Sequence, residues 1–148
     1  MIDNHQKNIA TCIHLSTFSR FIFPFGNFIA PVILWITNKD KSQFIDVHGK
    51  EAINFQLSIL LYTVIIGLIT VPFFIFNIFN GLDFINFNLL EHIEINISKP
   101  SPLLYLGGAL AGLAVLGFII ELALIVNASL KAKDGELFRY PLNIHFIK

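Results

Sequence analysis

Three apolar stretches decide what this chain can fold into: residues 9–36, 53–76 and 103–130. A helix needs about 20 mainly apolar residues to cross the ~30 Å hydrocarbon core of a bilayer. Residues 53–76 and 103–130 meet that requirement directly. The third holds fifteen Leu, Ile, Val or Phe against a single acid, Glu121. The composition agrees, with 55% hydrophobic and only 14% charged residues, a balance that a small soluble core does not accommodate. The reading is an all-α integral membrane helical bundle, a single membrane domain over residues 1–148.

The first stretch is different. Arg20 lies inside it, and Pro24-Phe25-Gly26-Asn27 interrupts it. Proline removes a backbone donor and glycine loosens the chain, so the helix is kinked or broken there. Two arrangements follow. One is a single kinked span, the preferred reading; the other is a re-entrant or tightly paired helical hairpin. A cleaved leader is not expected, because the apolar run carries His14 and Arg20 and continues past any plausible cleavage point.

Basic residues set the orientation. Lys39, Lys41, Lys50, Lys131, Lys133, Arg139 and Lys148 flank one end of the second and third stretches, while the 77–102 connection holds only Lys99. The positive-inside rule makes the 39–50 segment and the 131–148 tail cytoplasmic, in a bacterial plasma (inner) membrane, and turns residues 77–102 outward. Within that outer connection, Ile78, Leu82, Ile85 and Leu89 fall at helical spacing and suit a helix lying in the interface. Residues 92–98 alternate apolar and polar, as an extended segment does.

Ten Lys+Arg balance ten Asp+Glu, which excludes a global basic field for nucleic acid. A lone cysteine, Cys12, excludes an intramolecular disulfide. No nucleophile–base constellation or cofactor motif is present, so an enzyme is not expected, nor a cofactor or resident metal. The expected partners are the lipid bilayer and either further copies of the chain or a larger membrane complex.

A few polar positions stand out. Glu121 sits within an apolar run, where an acid faces the bundle interior, water or a cation. It reads as a packing anchor, with Arg20 as its natural partner if the first helix packs on the third; proton or ion handling is the alternative. His48 and Glu51 stand three apart at the entrance to the second stretch, with Asn54 and Gln56 just inside. Helix-end hydrogen bonding is the preferred role for His48 and Glu51, over a metal site completed by His145, while Asn54 and Gln56 are placed to bond to neighbouring helices. Gly108 and Gly112 form G-x-x-x-G, which lets helix backbones approach, within the chain or between copies. Arg139 is expected to fold back onto Glu51 near His48 or Asn54, through two parallel hydrogen bonds. Tyr140, beside it, suits the interface. The alternative is a solvated tail.

His14-Leu15-Ser16, the 24–31 segment PFGNFIAP, Lys39-Asp40, the 48–56 segment HGKEAINFQ and the 135–142 segment GELFRYPL together resemble a family of small bacterial membrane proteins grouped with the chloroplast import component, a multi-span subunit of the inner-envelope (Tic) translocon. The resemblance covers nearly the whole chain. It implies about four helices and a translocon-like or scaffold role, and it carries over no catalytic residues. His48, Glu51, Asn54, Gln56, Arg139 and Tyr140 are the polar positions it shares. Glu121 is not among them.

Overall fold

The computed structural model describes residues 2–80, 85–88, 92–95 and 102–148. In chain order the elements are α1 (Asn4–Ser16), a 3-10 turn (Thr17–Phe21), α2 (Gly26–Ile36), a second 3-10 turn (Lys39–Lys41), α3 (Gln43–Asn80), β1 (Ile85–Asn88), β2 (His92–Ile95) and α4 (Pro102–Asp134). They divide into two compact units, Met1–Tyr62 with Ile119–Lys148, and Thr63–Phe118.

The architecture is helical, but among the described residues two helices rather than three are long and apolar enough to cross a membrane: Gln43–Ile75 and Tyr105–Asp134. The first apolar stretch forms no kinked span. It breaks into α1 and α2, about 20 and 16 Å long at 1.5 Å per residue, each short of a ~30 Å crossing. The break is sharp because Phe25 takes a left-handed backbone (φ 61°), at a cost of about 1–2 kcal/mol for an L-residue. Gly26 follows where a Cβ would collide with the Ser19 backbone carbonyl.

In the first unit, Ile9 and Ile13 of α1 share one apolar cluster with Leu34 and Trp35 of α2 and Ile45 and Ala52 of α3. A second cluster joins Ala10, Phe44 and Ala132, and a third joins Phe55, Ile125, Ala128 and Tyr140. Gly49 lets α3 approach α2, since a Cβ there would enter the Trp35 ring. Trp35 also donates from Nε1 to Asp46 Oδ1 (2.9 Å), and Asp46 pairs with Lys50 one turn on (2.6 Å). α4 ends at Gly135, whose φ of 86° closes the helix, with Glu136 N–H bonded to Lys131 O and Gly135 N–H to Ala132 O.

In the second unit, β1 and β2 pair antiparallel, with Ile85 opposite Ile95 and Phe87 opposite Ile93. This corrects the interface helix expected through Ile85. Residues 85–88 read Ile-Asn-Phe-Asn, a period of two, and that local alternation prevails over the sparser helical spacing. Extension at 92–95 follows the expected pattern; Leu82, Leu89 and residues 96–98 lie outside the described residues. Gly107 of α4 faces the Phe74 ring, whereas Cβ atoms on Gly108 and Gly112 would meet open space. The G-x-x-x-G therefore packs on no described helix of its own chain: one residue of rotation, about 100°, puts Gly107 at the contact instead.

The Gly49–Trp35 approach is testable. Gly49→Ala should destabilise the protein by about 1–3 kcal/mol, as overpacking does. Trp35 is the chain's single tryptophan. Thermal unfolding in detergent, followed by its fluorescence, should show a lower midpoint and an altered native emission maximum.

Candidate functional site

On α3, His48, Glu51, Asn54, Ser58 and Tyr62 follow one another at intervals of three, three, four and four. That spacing keeps them on one helix face. The chain's tail lies along this stripe. Asn54 Oδ1 accepts from the N–H groups of Phe146 (3.1 Å) and Ile147 (2.9 Å), and its Nδ2 donates to Ile147 O (3.0 Å). Ser58 Oγ accepts from Ile144 N–H (2.9 Å) while donating to Asn54 O (2.8 Å). Tyr62 donates to Leu142 O (2.7 Å). The buried Glu51 carboxylate accepts from Asn143 Nδ2 (2.8 Å) and Tyr140 N–H (3.4 Å), with His145 Nε2 at 3.1 Å. The stripe reads mainly the main chain of the tail, meeting backbone groups that no regular element satisfies.

The tail thus docks on Glu51, but not through Arg139. Arg139 is exposed and makes no contact with Glu51 among the described residues. Pro141 holds Tyr140 extended, and extended residues alternate sides, so burying Tyr140 turns its neighbour outward. The burial of Tyr140 is extensive: its ring stacks on Phe55 (4.0 Å between centroids, 12°) and meets Phe138 edge-on. Burial, reinforced by the Glu51 and Glu121 charges, pushes its phenol up, so the hydroxyl keeps its proton.

That hydroxyl lies 2.9 Å from His14 Nδ1, and His14 Nε2 lies 2.8 Å from His48 Nδ1. The three groups form one buried line joining the tail, α1 and α3, in which each hydrogen bond sets the tautomer of the next ring. Phe44 closes over His48 at 4.4 Å. His48 Nε2, at the end of the line, is buried without a hydrogen-bond partner among the described residues.

A second cluster surrounds Glu121. Arg20 pairs with it, Nη2 reaching Oε1 and Nη1 reaching Oε2 (3.2 Å). Arg20 Nη2 also donates to Gln56 Oε1 (3.1 Å), which accepts a further bond from Asn27 Nδ2 (2.8 Å). One guanidinium therefore ties the turn after α1 to α3 and α4, while Asn27 brings in α2. The cluster keeps spare donors: Arg20 Nε, Gln56 Nε2 and Ser19 Oγ are buried without partners among the described residues.

The sequence singles out Glu51 as a helix-end polar group and Asn54 and Gln56 as groups bonding neighbouring elements; Gln56 does so through Arg20 and Asn27, and Asn54 does so through the tail. Ser58, Tyr62 and Asn143 were not recognised, although the polar spacing along α3 signals one working face. His48 and His145, considered together for metal, are parted: His48 bonds to His14, and His145 to Glu51. Among the described residues no three His, Cys, Asp or Glu side chains come together to hold a metal ion. The described polar groups bind chain to chain: they fasten the tail and the α1–α2 pair to the two long helices.

Two helices of membrane length and a buried polar core define a small membrane protein. The model of the MamF/MmsF family, described as the magnetosome magnetite crystal formation protein family, matches residues 5–147, and the chain belongs to that family. This corrects the resemblance to the chloroplast import component: the family that matches is the magnetosome family, not a grouping with the Tic translocon. No curated protein and no solved structure matches.

Two outcomes follow from this geometry. Asn54→Ala strips partners from two tail N–H groups and should lower stability by about 1–3 kcal/mol. It should also open the 136–148 segment to limited proteolysis, while the exposed Arg139→Gln should change stability by less than about 0.5 kcal/mol. Glu121→Gln leaves the Arg20 charge without its counter-ion. Thermal denaturation in detergent should register a loss of about 3 kcal/mol, the lower end for breaking a buried pair because the Arg20 side chain is 22% exposed. Arg20→Met with Glu121→Leu should recover most of that loss.

Proposed function

We propose that this protein is a non-enzymatic membrane scaffold, acting within a larger membrane assembly that serves the formation of a magnetite crystal. The observation that carries the reading is the match to the magnetosome magnetite crystal formation family over residues 5–147. The site chemistry supports it. Glu51, Asn54, His48 and Glu121 are spent on fastening elements of the chain together. Glu121, the candidate for ion handling, has both carboxylate oxygens bonded to Arg20, which favours anchoring over transport.

The assembly is a homo-oligomer or a complex with other membrane proteins. Gly108 and Gly112 offer a close-packing face to a second helix, since neither meets a neighbour within the described chain. The seven basic residues near the α2–α3 turn and the end of α4 orient the tail toward the cytoplasm from a bacterial plasma membrane or a compartment derived from it.

The test is replacement. In a magnetite-forming bacterium lacking its own member of this family, expression of this chain should restore crystal size and shape as measured by electron microscopy. Glu121→Gln, if still folded, should restore them too. Crystals that stay as in the deletion strain, despite membrane-inserted protein, would overturn the crystal-forming role. Proton flux through liposomes containing the wild type but not Glu121→Gln would replace the scaffold with a transporter.

A further inference from the structure

We infer that α1 and α2 form a re-entrant hairpin: it enters and leaves the bilayer through the same face and rests its apolar tip, Ile22, Phe23 and Phe25, among acyl chains near the bilayer centre. This goes beyond the scaffold reading and does not depend on it. It concerns where residues 9–36 lie and what they touch.

The hairpin has a polar end and an apolar end. At the polar end, Lys7 of α1 reaches the Asp134 carbonyl at the end of α4 (3.4 Å). Trp35, at the far end of α2, bonds Asp46 at the start of α3, with Lys39 5.6 Å over its ring. The start of α1 and the end of α2 thus lie together, at the lysine-bearing ends of both long helices. Tryptophan with nearby lysine is the usual marking of a membrane–water boundary.

At the other end the chain turns beside Gln56 and Glu121, the level to which Arg20 and Asn27 reach. Glu121 stands nine residues along α4 from Leu130, the last exposed apolar residue before the terminal lysines, or about 14 Å. That is half of a ~30 Å hydrocarbon core. Between the two ends the exposed side chains are mainly apolar, including Leu15, Ile29 and Ile33 on the hairpin and Val126 on α4, with Asn127 the exposed polar residue of that stretch of α4. At the tip Ile22 is 84% and Phe25 69% exposed, an arrangement adverse in water and favourable in lipid.

Irregular backbone survives at such depth only when its polar groups are satisfied. Here the N–H groups of Ile22 and Phe23 bond Ser19 O, that of Gly26 bonds Phe23 O, and those of Phe28 and Ile29 bond Phe25 O. Pro24 has no N–H to lose. The left-handed Phe25 lets the chain reverse within these bonds. Arg20, costly in lipid by itself, enters as an ion pair with Glu121. Acyl chains are the occupant because the exposed apolar surface of the hairpin continues onto that of α4 in the same unit.

The experiment uses the full chain in a Cys12→Ser background, with single cysteines at Asn4, Lys41, Lys133, Ile22 and Phe25. In oriented membrane vesicles, an impermeant maleimide should label Asn4→Cys, Lys41→Cys and Lys133→Cys from one and the same side. It should label Ile22→Cys and Phe25→Cys from neither side until detergent is added. A fluorophore at either tip position should be quenched at least twofold more by lipids brominated deep on the acyl chain than by headgroup quenchers. Asn4→Cys and Lys41→Cys labelled from opposite sides would mean a full crossing and end the proposal. So would tip cysteines reactive from water, or tip cysteines that cross-link between copies while shielded from brominated lipid. Failure of the crystal-complementation test leaves each of these readings unchanged.

Discussion

The Arg20–Glu121 ion pair holds the helical module together at its deepest point. Arg20 comes from the turn after α1, Glu121 from α4, and Gln56, which shares the guanidinium, from α3. Asn27 of α2 closes on the same Gln56 oxygen. Four helical segments are thus registered at a single level. In a low-dielectric setting a charge without its counter-charge carries a penalty of several kcal/mol, so the turn is placed where Glu121 is. The apolar contacts among Ile13, Ile45 and Ala52 then fill the space nearer the lysine-bearing end.

The α3 stripe applies the same logic to peptide groups. A tail with neither helical nor sheet hydrogen bonds cannot rest on an apolar helix without leaving N–H and C=O groups unsatisfied. Asn54, Ser58 and Tyr62 meet those groups, and Glu51 adds charge-assisted bonds from Asn143 and the Tyr140 backbone. Tyr140 connects the two systems. Its ring packs with Phe55 and Ile125 in the apolar core, and its hydroxyl continues through His14 to His48. Tail, α1 and α3 are therefore coupled by one hydrogen-bonded line in addition to the separate contacts of the stripe. The chain that carries this arrangement belongs to a family described for the formation of magnetosome magnetite crystals.

Much of this was legible from local pattern. The two long helices follow from uninterrupted apolar length, the break near residue 25 from proline and glycine, and the extended 92–95 segment from alternation. Two of the corrected expectations share a cause. The kinked span and the Arg139–Glu51 pair both required knowing which way a chain turns after a break. At Phe25 the direction is set by a left-handed backbone that a phenylalanine does not advertise. At Arg139 it is set by whether Tyr140 or its neighbour is the residue buried against Phe55. The family resemblance differs from the outcome for another reason: short motifs in an apolar chain do not discriminate between families, and the family that matches residues 5–147 is the magnetosome family.

By itself, then, the sequence determined a membrane-length pair of helices, a broken first segment and a concentration of basic residues at one end of that pair. These are consequences of composition and spacing, which act over a few residues and need no partner. Only the tertiary structure decided which polar groups meet. Arg20 and Glu121 are 101 residues apart in the chain, and Tyr140 and His14 are 126 apart. Such pairings depend on how the backbone reverses at Phe25 and Gly135. A buried charge or hydroxyl accepts any suitable partner within reach, so chemistry specifies the kind of contact, and only the path of the chain specifies the residue.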